Sequence, residues 1–150
     1  DISHGALRIA KKNANKHNVE IKFLHGNLLS PILKSKIINL KSEIIITANL
    51  PYITEEQFKN EQSIQHEPKS ALVAENKGLA LYEELLKQFC QLIASGLQLT
   101  AFLEIDPTQS QPITSLIKKY LPESDIEIKK DLAGLDRVII VKMHLGASRD

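Results

Sequence analysis

The sequence predicts an α/β domain with a mostly parallel sheet. Apolar segments with helical spacing alternate with short segments rich in β-branched residues, the pattern of parallel strands joined by helices. One such segment, residues 44–48, carries no charge and ends at Asn-Leu-Pro-Tyr, residues 49–52. The last two strand segments, residues 126–128 and 138–141, are joined by a short turn at residues 131–136. They are expected to be antiparallel neighbours, because a parallel pair needs a crossover of about a dozen residues.

The first half of the chain is expected to form one helix and two strands. Ser3 is a suitable N-cap for a helix over about residues 3–17. Its apolar stripe consists of Leu7, Ala10 and Ala14. Alternating residues predict a strand at 19–24, and residues 28–41 are expected to form a loop with a short helical turn. The strand at 43–48 is expected to be buried on both faces, because its apolar run is continuous.

The second half is expected to form two helices and three strands, including the final hairpin. The polar stretch over residues 53–77 is too long for a simple connection, so we expect a lid or a binding segment there. Helical spacing of leucines predicts the strongest helix over residues 78–96, with Gly96 as its C-cap glycine. A strand at 97–105 and a helix at 106–120 follow. The tail beyond residue 144 is expected to be frayed.

Composition limits the functional classes. Hydrophobic residues make up 43% and charged residues 25% of the chain, as in globular proteins, and the net charge of +1 gives no strong attraction to nucleic acid. No apolar run approaches the roughly 20 residues of a membrane span, so no membrane partner is expected. A single cysteine, Cys90, is expected in the core and fits a reducing, cytoplasmic compartment. The histidines lack metal-ligand spacing, so we expect no metal site, and we expect a monomer.

The tetrapeptide at residues 49–52 offers specific chemistry at the carboxyl end of a strand, where open α/β sheets bind ligands. Asn49 carries an acceptor and a donor, and Pro51 restricts Leu50 so that the Leu50 carbonyl is held in one direction. Tyr52 offers a flat face. Two acceptors and a ring suit a planar –NH2 group, whose hydrogens can be bound while its nitrogen faces an electrophile. The alternative is a strand-ending turn with a buried tyrosine.

A series of further motifs flanks this tetrapeptide in order along the chain. They are Asp1-Ile2-Ser3, Ala6-Leu7, Asn13-Ala14, Gly26-Asn27-Leu28-Leu29, Glu67-Pro68, Ala71-Leu72, Gly78-Leu79 with Tyr82, Leu103-Glu104-Ile105 with Gln109, and residues 131–138. Together with the sheet and its hairpin, Asn-x-Pro-Tyr resembles the Rossmann-like class I S-adenosylmethionine-dependent methyltransferases. The flanking motifs resemble, within that class, the HemK-type peptide chain release factor glutamine methyltransferases.

The resemblance implies N5-methylation of a glutamine side chain in a peptide chain release factor, with S-adenosyl-L-methionine as cofactor. Asn49 and the Leu50 carbonyl would hold the two amide hydrogens, Pro51 would fix their geometry, and Tyr52 would pack against the amide plane. Asn49 would also border the cofactor. Orientation would supply the rate, so no histidine or carboxylate is expected to act as a general base.

The resemblance also implies a nucleoside site near the start of the chain. Asp1 would accept hydrogen bonds from the cofactor ribose, although it could also be a merely exposed residue. Asn27 and Leu28 would border the adenine, and packing of Leu28 in the core is an equal alternative.

Three features depart from the family pattern. Leu50 replaces the usual proline, as in rRNA adenine dimethylases, but still provides a carbonyl. Asn27-Leu28 stands where the family usually has an aspartate and often an aromatic residue. The first strand and its glycine-rich loop are lacking, so residues 1–150 are expected to be the C-terminal part of a catalytic domain whose other elements lie upstream. Such a piece is expected to bind the cofactor poorly by itself.

Two other functions remain open from the sequence. An enzyme of the same fold could methylate the N6 amine of adenine in RNA or DNA, with Tyr52 stacking on an extruded base. The near-neutral charge argues against nucleic acid as a partner. Alternatively, the chain could be an inactive, truncated fragment.

Overall fold

The computed structural model describes residues 1–35 and 43–143 of the chain. These residues fall in two units, Asp1–Asn39 and Leu40–Asp150, each with its own internal contacts. Part of the predicted loop at 28–41 and the predicted frayed tail lie outside the described residues. Among the residues described, no helix is long and apolar enough to cross a membrane.

The first unit contains the helices α1 (His4–Lys16) and α2 (Ser30–Leu33). The Ser3 side chain accepts a hydrogen bond from the Ala6 backbone nitrogen, which confirms the predicted cap and helix. The short turn predicted after residue 28 is α2, and its proline lies in the first turn.

The strand predicted at residues 19–24 is wrong for the described structure, because this segment forms no ladder with another strand there. A strand needs a partner along its length, whereas this segment makes single hydrogen bonds, such as that from the Asp1 backbone nitrogen to the Leu24 carbonyl at 3.1 Å. Val19 and Ile21 remain 50% and 53% exposed, so alternation of residue types did not produce burial.

The second unit is built on a four-stranded sheet. Its strands are β1 (Glu43–Ala48), β2 (Gln98–Glu104), β3 (Asp125–Lys130) and β4 (Asp136–Met143), in the spatial order β1-β2-β4-β3. β1 and β2 are parallel, whereas β4 is antiparallel to both β2 and β3. Three strands therefore point the same way, and the predicted α/β class and its terminal antiparallel hairpin are confirmed.

The core of this unit lies between the sheet and two helices, α6 (Ala80–Ala94) and α7 (Ser110–Tyr120). β2 alternates buried and less buried residues, as expected for a strand whose faces differ in environment. The largest fully buried side chains include Tyr82, Leu85, Phe89, Leu99, Leu103, Ile113, Ile117 and Ile139. α6 ends just before Gly96, whose φ of 83° confirms the predicted C-cap glycine. Cys90, predicted to be core, is half-buried.

The prediction that the strand at residues 43–48 is buried on both faces is wrong. None of its six residues is fully buried, and Ile45 is 67% exposed. In the described sheet β1 is an edge strand that pairs with β2 alone, so its apolar run is not covered on both faces.

The polar stretch after the tetrapeptide has secondary structure of its own. It contains α3 (Glu55–Asn60), a 3₁₀ turn at Gln62–Ile64, the short helix α4 (Lys69–Leu72) and the segment α5 (Glu75–Gly78), in which Asn76 and Lys77 have left-handed rather than helical backbone angles. An isolated parallel bridge joins Ile53 to Val73. The Ile53 nitrogen donates to the Leu72 carbonyl at 2.9 Å, and the Ala74 nitrogen donates to the Ile53 carbonyl at 3.0 Å. The stretch is thus folded back onto the end of the tetrapeptide.

Candidate active site

The tetrapeptide lies at the carboxyl edge of the sheet. Ala48, the last residue of β1, is in register with Leu103 of the parallel strand β2, so the two strands end side by side. Asn49, which follows β1, and Glu104, the last residue of β2, therefore lie at the same edge of the sheet, where open α/β sheets bind ligands.

Asn49 and Leu50 present unused acceptors at this edge. Asn49 is exposed and Leu50 half-buried, and both line a cavity of about 170 Å³. The other residues around this cavity are Pro51, Tyr52, Ile53, Glu67, Ala71 and Leu72. Among residues 1–35 and 43–143, no hydrogen bond reaches the Asn49 side chain or the Leu50 carbonyl. Both groups are thus available to a ligand, whereas an Asn49 turned into the core would have excluded the proposed chemistry.

Tyr52 makes hydrogen bonds through both its side chain and its main chain. Its hydroxyl donates to Glu104 Oε1 at 3.4 Å, and its main-chain carbonyl accepts from Gln109 Nε2 at 3.0 Å. Burial, and to a smaller extent the neighbouring Glu104, raises the pKa of the Tyr52 hydroxyl. The phenol is therefore neutral at ordinary pH, and the half-buried ring is a flat apolar partner rather than a base.

A larger cavity of about 490 Å³ is also bordered by Tyr52. Its walls are Tyr52, Ile53, Glu56, Gln57, Asn60, Glu61, Ile64 and Asp106. Tyr52 and Ile53 are shared with the smaller cavity. The wall combines isoleucines with carboxylates and amides, so it can receive a chain that has both apolar and polar groups.

An ion pair lies beside the carboxyl end of β2. Arg137 Nη2 is 3.1 Å from Asp131 Oδ2, and Arg137 Nη1 donates to the Ile105 carbonyl at 3.4 Å. Backbone donation from Leu135, with help from Arg137, holds the pKa of Asp131 below its usual range. The pair anchors the turn between β3 and β4 to the strand that carries Glu104.

The first unit places the predicted nucleoside-binding residues beside one another. The Gly26 nitrogen donates to the Asp1 carbonyl at 3.1 Å, which brings Asp1 next to the segment that carries Asn27 and Leu28. Asp1 Oδ1 accepts from the Ser3 nitrogen at 2.7 Å, and Asp1 and Asn27 are both exposed. Leu28 is half-buried with a φ of 47°, so part of its side chain is accessible. An exposed carboxylate beside an exposed amide and a leucine fits the ribose and base of a nucleoside. Binding by these residues stays a prediction.

Sequence reasoning gave no role to two residues that the structure joins to Tyr52. Gln109 is 7% exposed and bonds the Tyr52 carbonyl, and a Cβ on Gly78 would lie 2.0 Å from that same carbonyl oxygen. The sequence signal for Gln109 was its place three residues after Asp106, the spacing of a capping box, which the structure contains. Within the described residues, no group of three histidine, cysteine, aspartate or glutamate side chains could hold a metal ion.

Comparison with known proteins finds relatives that share one name. The release factor glutamine methyltransferase of Enterococcus faecalis is 35% identical over 144 residues, which cover 95% of this chain and 49% of that protein. The enzyme of the same name from Bacillus subtilis is 34% identical over 146 residues, or 96% of this chain and 49% of that protein. That of Staphylococcus aureus is 33% identical over 144 residues, or 95% of this chain and 50% of that protein.

No protein-family model matches the chain. The chain spans about half the length of the curated relatives it matches, and the match covers nearly all of its own length. The resemblance that the sequence motifs predict is therefore confirmed: nearly the whole chain is similar to about half the length of proteins named release factor glutamine methyltransferase.

Proposed function

We propose that the whole protein containing this chain methylates the side-chain amide nitrogen of a glutamine in a peptide chain release factor, using S-adenosylmethionine. The names of the relatives support the reaction class and the substrate. The observation that carries the proposal is the pair of free acceptors, the Asn49 side chain and the Leu50 carbonyl, on a small cavity bordered by Tyr52.

The amide of the substrate would lie in the cavity of about 170 Å³. The Asn49 side-chain oxygen would accept one amide hydrogen and the Leu50 carbonyl the other, while Tyr52 packs against the amide plane. A neutral amide is a weak nucleophile, because its lone pair is delocalised into the carbonyl. Fixing the plane of the amide, and thereby the direction of its nitrogen, is the contribution that these residues can make to the rate.

Asp1, Asn27 and Leu28 would hold the nucleoside part of the cofactor. The Asp1 carboxylate would accept from ribose hydroxyls, and the other two would border the adenine. When bound, S-adenosylmethionine supplies a methyl group activated by a positive sulfonium. Asn49 would border this group, since it faces the smaller cavity.

The larger cavity would hold the residues of the release factor that flank the glutamine. It shares Tyr52 and Ile53 with the smaller cavity, so an extended peptide can pass from one to the other around the tyrosine. Its volume of about 490 Å³ is enough for a few side chains.

The substitution Asn49→Ala tests this function. Because it removes one of the two acceptors, we expect methyl transfer by the full-length protein to fall at least about a hundredfold. Transfer of a radiolabelled methyl group to a purified release factor measures the rate. The free energy of unfolding should change by no more than about 0.5 kcal/mol, because the Asn49 side chain is exposed.

The matched control is Asn15→Ala, which removes an exposed asparagine from α1 and should leave the rate unchanged. Wild-type turnover by Asn49→Ala, or methylation of nucleic acid in preference to release factor, would contradict the proposal.

A further inference from the structure

The side chain of Gln109 connects three separate segments around the tetrapeptide. It is 7% exposed, and its Nε2 donates to the Tyr52 carbonyl at 3.0 Å and to the Lys77 carbonyl at 3.1 Å. Its Oε1 accepts from the Asp106 nitrogen at 3.4 Å. The whole amide is thus used, with both donor positions directed at main-chain carbonyls. Such a satisfied buried amide fixes its partners firmly, because leaving any of them unpaired is costly.

Gly78 lies against the hydrogen bond between Gln109 and Tyr52; we call Gln109 and Gly78 together the clamp. Its φ is +81°, and a Cβ there would lie 2.0 Å from the Tyr52 carbonyl oxygen and 2.4 Å from Gln109 Nε2. The absence of a side chain at Gly78 therefore allows the main chain of Tyr52 and the Gln109 amide to approach each other. Asn76 and Lys77, at φ of 53° and 55°, turn the chain so that the Lys77 carbonyl also faces Gln109.

The clamp acts on the main chain a short distance beyond the atoms proposed to bind the substrate. The Tyr52 carbonyl is two peptide units beyond the Leu50 carbonyl, and Pro51 between them has a fixed φ. Rotation at Tyr52 would move both its ring and the Leu50 carbonyl, and Gln109 opposes that rotation.

We propose that Gln109 is a positioning residue for methyl transfer, which holds the main chain of Tyr52 through its carbonyl and thereby sets the ring and the Leu50 acceptor; this rests on the proposed function. Gln109 does not itself contact substrate. It affects the rate of methyl transfer once the substrate is bound, rather than the affinity for the cofactor.

The substitution Gln109→Met tests this role in the full-length protein, because methionine has a similar length but neither donates to the two carbonyls nor accepts from Asp106. We expect kcat for release factor methylation to fall about tenfold or more, since small misplacements of bound groups reduce rates strongly. KM for S-adenosylmethionine should change by less than about twofold. All rates are taken on protein shown to be folded by circular dichroism.

Gln88→Met is the matched control, because Gln88 is also a buried glutamine of the second unit, at 5% exposed, and its side chain donates to Glu84 on α6. It should retain wild-type kcat. A third variant, Gln109→Glu, keeps the acceptor but donates to a carbonyl only when its carboxyl group is protonated. Its kcat relative to wild type should therefore rise as the pH is lowered, which loss of packing alone would not produce.

A second measurement does not depend on catalysis. The ¹³Cζ resonance of Tyr52, assigned with Tyr52→Phe, should shift in Gln109→Met and remain in place in Gln88→Met. If wild-type protein does not methylate release factor, the proposed function fails while this signal still tests the positioning role. An unmoved Tyr52 signal, wild-type kcat in Gln109→Met, or an equal loss of kcat in Gln88→Met would overturn the inference.

Discussion

The Tyr52 hydroxyl has a raised pKa because it is partly buried and faces the carboxylate of Glu104. A group whose pKa is higher in the folded protein contributes stability at pH values below its unfolded pKa. This stability is lost as the pH rises through the folded pKa. Since an unperturbed tyrosine ionises at about pH 10, Tyr52 affects folding only in alkaline solution.

Tyr52→Phe should therefore reduce the sensitivity of the protein to alkali. We expect the free energy of unfolding of the wild type to fall more steeply between about pH 9 and pH 11 than that of the variant, because the variant has no hydroxyl to ionise there. Urea unfolding at several pH values measures both slopes. The remaining tyrosines are common to both proteins, so equal slopes would contradict the raised pKa of Tyr52.

At the scale of single residues, the sequence predicted which residues lie at the end of β1, but not the hydrogen bonds that fix their positions. Asn49 and Tyr52 could be located because a strand pattern ends at a recognisable tetrapeptide. The bond from Gln109 to the Tyr52 carbonyl joins residues 57 positions apart. Its formation depends on how the 3₁₀ turn Pro107–Gln109, just before α7, is placed against the segment that follows β1, which local patterns do not determine.

The helix α3 forms part of the wall of the larger cavity, and its start is well capped. The Thr54 hydroxyl accepts from the Gln57 nitrogen at 3.2 Å, and the Gln57 side chain accepts from the Thr54 nitrogen at 2.8 Å. This capping box satisfies backbone donors at both positions, which stabilises a helix of only six residues.

Thr54→Ala should loosen this helix locally. Loss of the cap is expected to cost about 1 kcal/mol, which corresponds to about a fivefold loss of hydrogen-exchange protection in the first turn of α3. The hydrogen-exchange rate of the Gln57 backbone amide, measured by NMR, reports this loss of protection. Thr54→Ser retains the hydroxyl and serves as the control, and equal protection in both variants would show that the cap does not stabilise α3.

Element by element, the sequence predicted what local patterns specify. The hairpin of β3 and β4 followed from the shortness of its turn, and α6 and α7 from apolar spacing and their ends. The strand at residues 19–24 failed because a strand needs a partner, whereas a helix satisfies its own backbone. The short helical segments between residues 55 and 78 lack apolar periodicity, so the sequence did not predict them, and the role expected for this stretch as a lid or binding segment stays a prediction.

At the scale of the whole sheet, β1 stands out as an edge strand with an exposed apolar side chain. Ile45 is 67% exposed, and in the described sheet one side of β1 has no neighbouring strand. Apolar composition predicted burial on both faces, but burial depends on which segments are adjacent, and that information is not local. An edge of this kind favours pairing with another molecule.

The sequence predicts a monomer, but this exposed edge predicts that the 150-residue chain prepared by itself associates in a concentration-dependent manner. Ile45→Lys should reduce this association. A charge on an edge strand opposes pairing because it would be buried at the contact. Light scattering coupled to size-exclusion chromatography gives the mass. The control is Leu132→Lys, which removes an exposed leucine from a turn rather than from a strand. Association that Ile45→Lys leaves unchanged would place the contact elsewhere.

The absence of a side chain at Gly78 also has a practical use. A four-residue motif occurs by chance in many unrelated proteins, and by itself it says little about chemistry. In this structure the main chain of the motif is supported by two residues further along the chain. Gly78 leaves room for the Tyr52 carbonyl, and the Gln109 side chain donates a hydrogen bond to that carbonyl. Surveys of uncharacterised genomes could therefore demand all three features together, which would separate working amide-binding sites from accidental matches to Asn-x-Pro-Tyr.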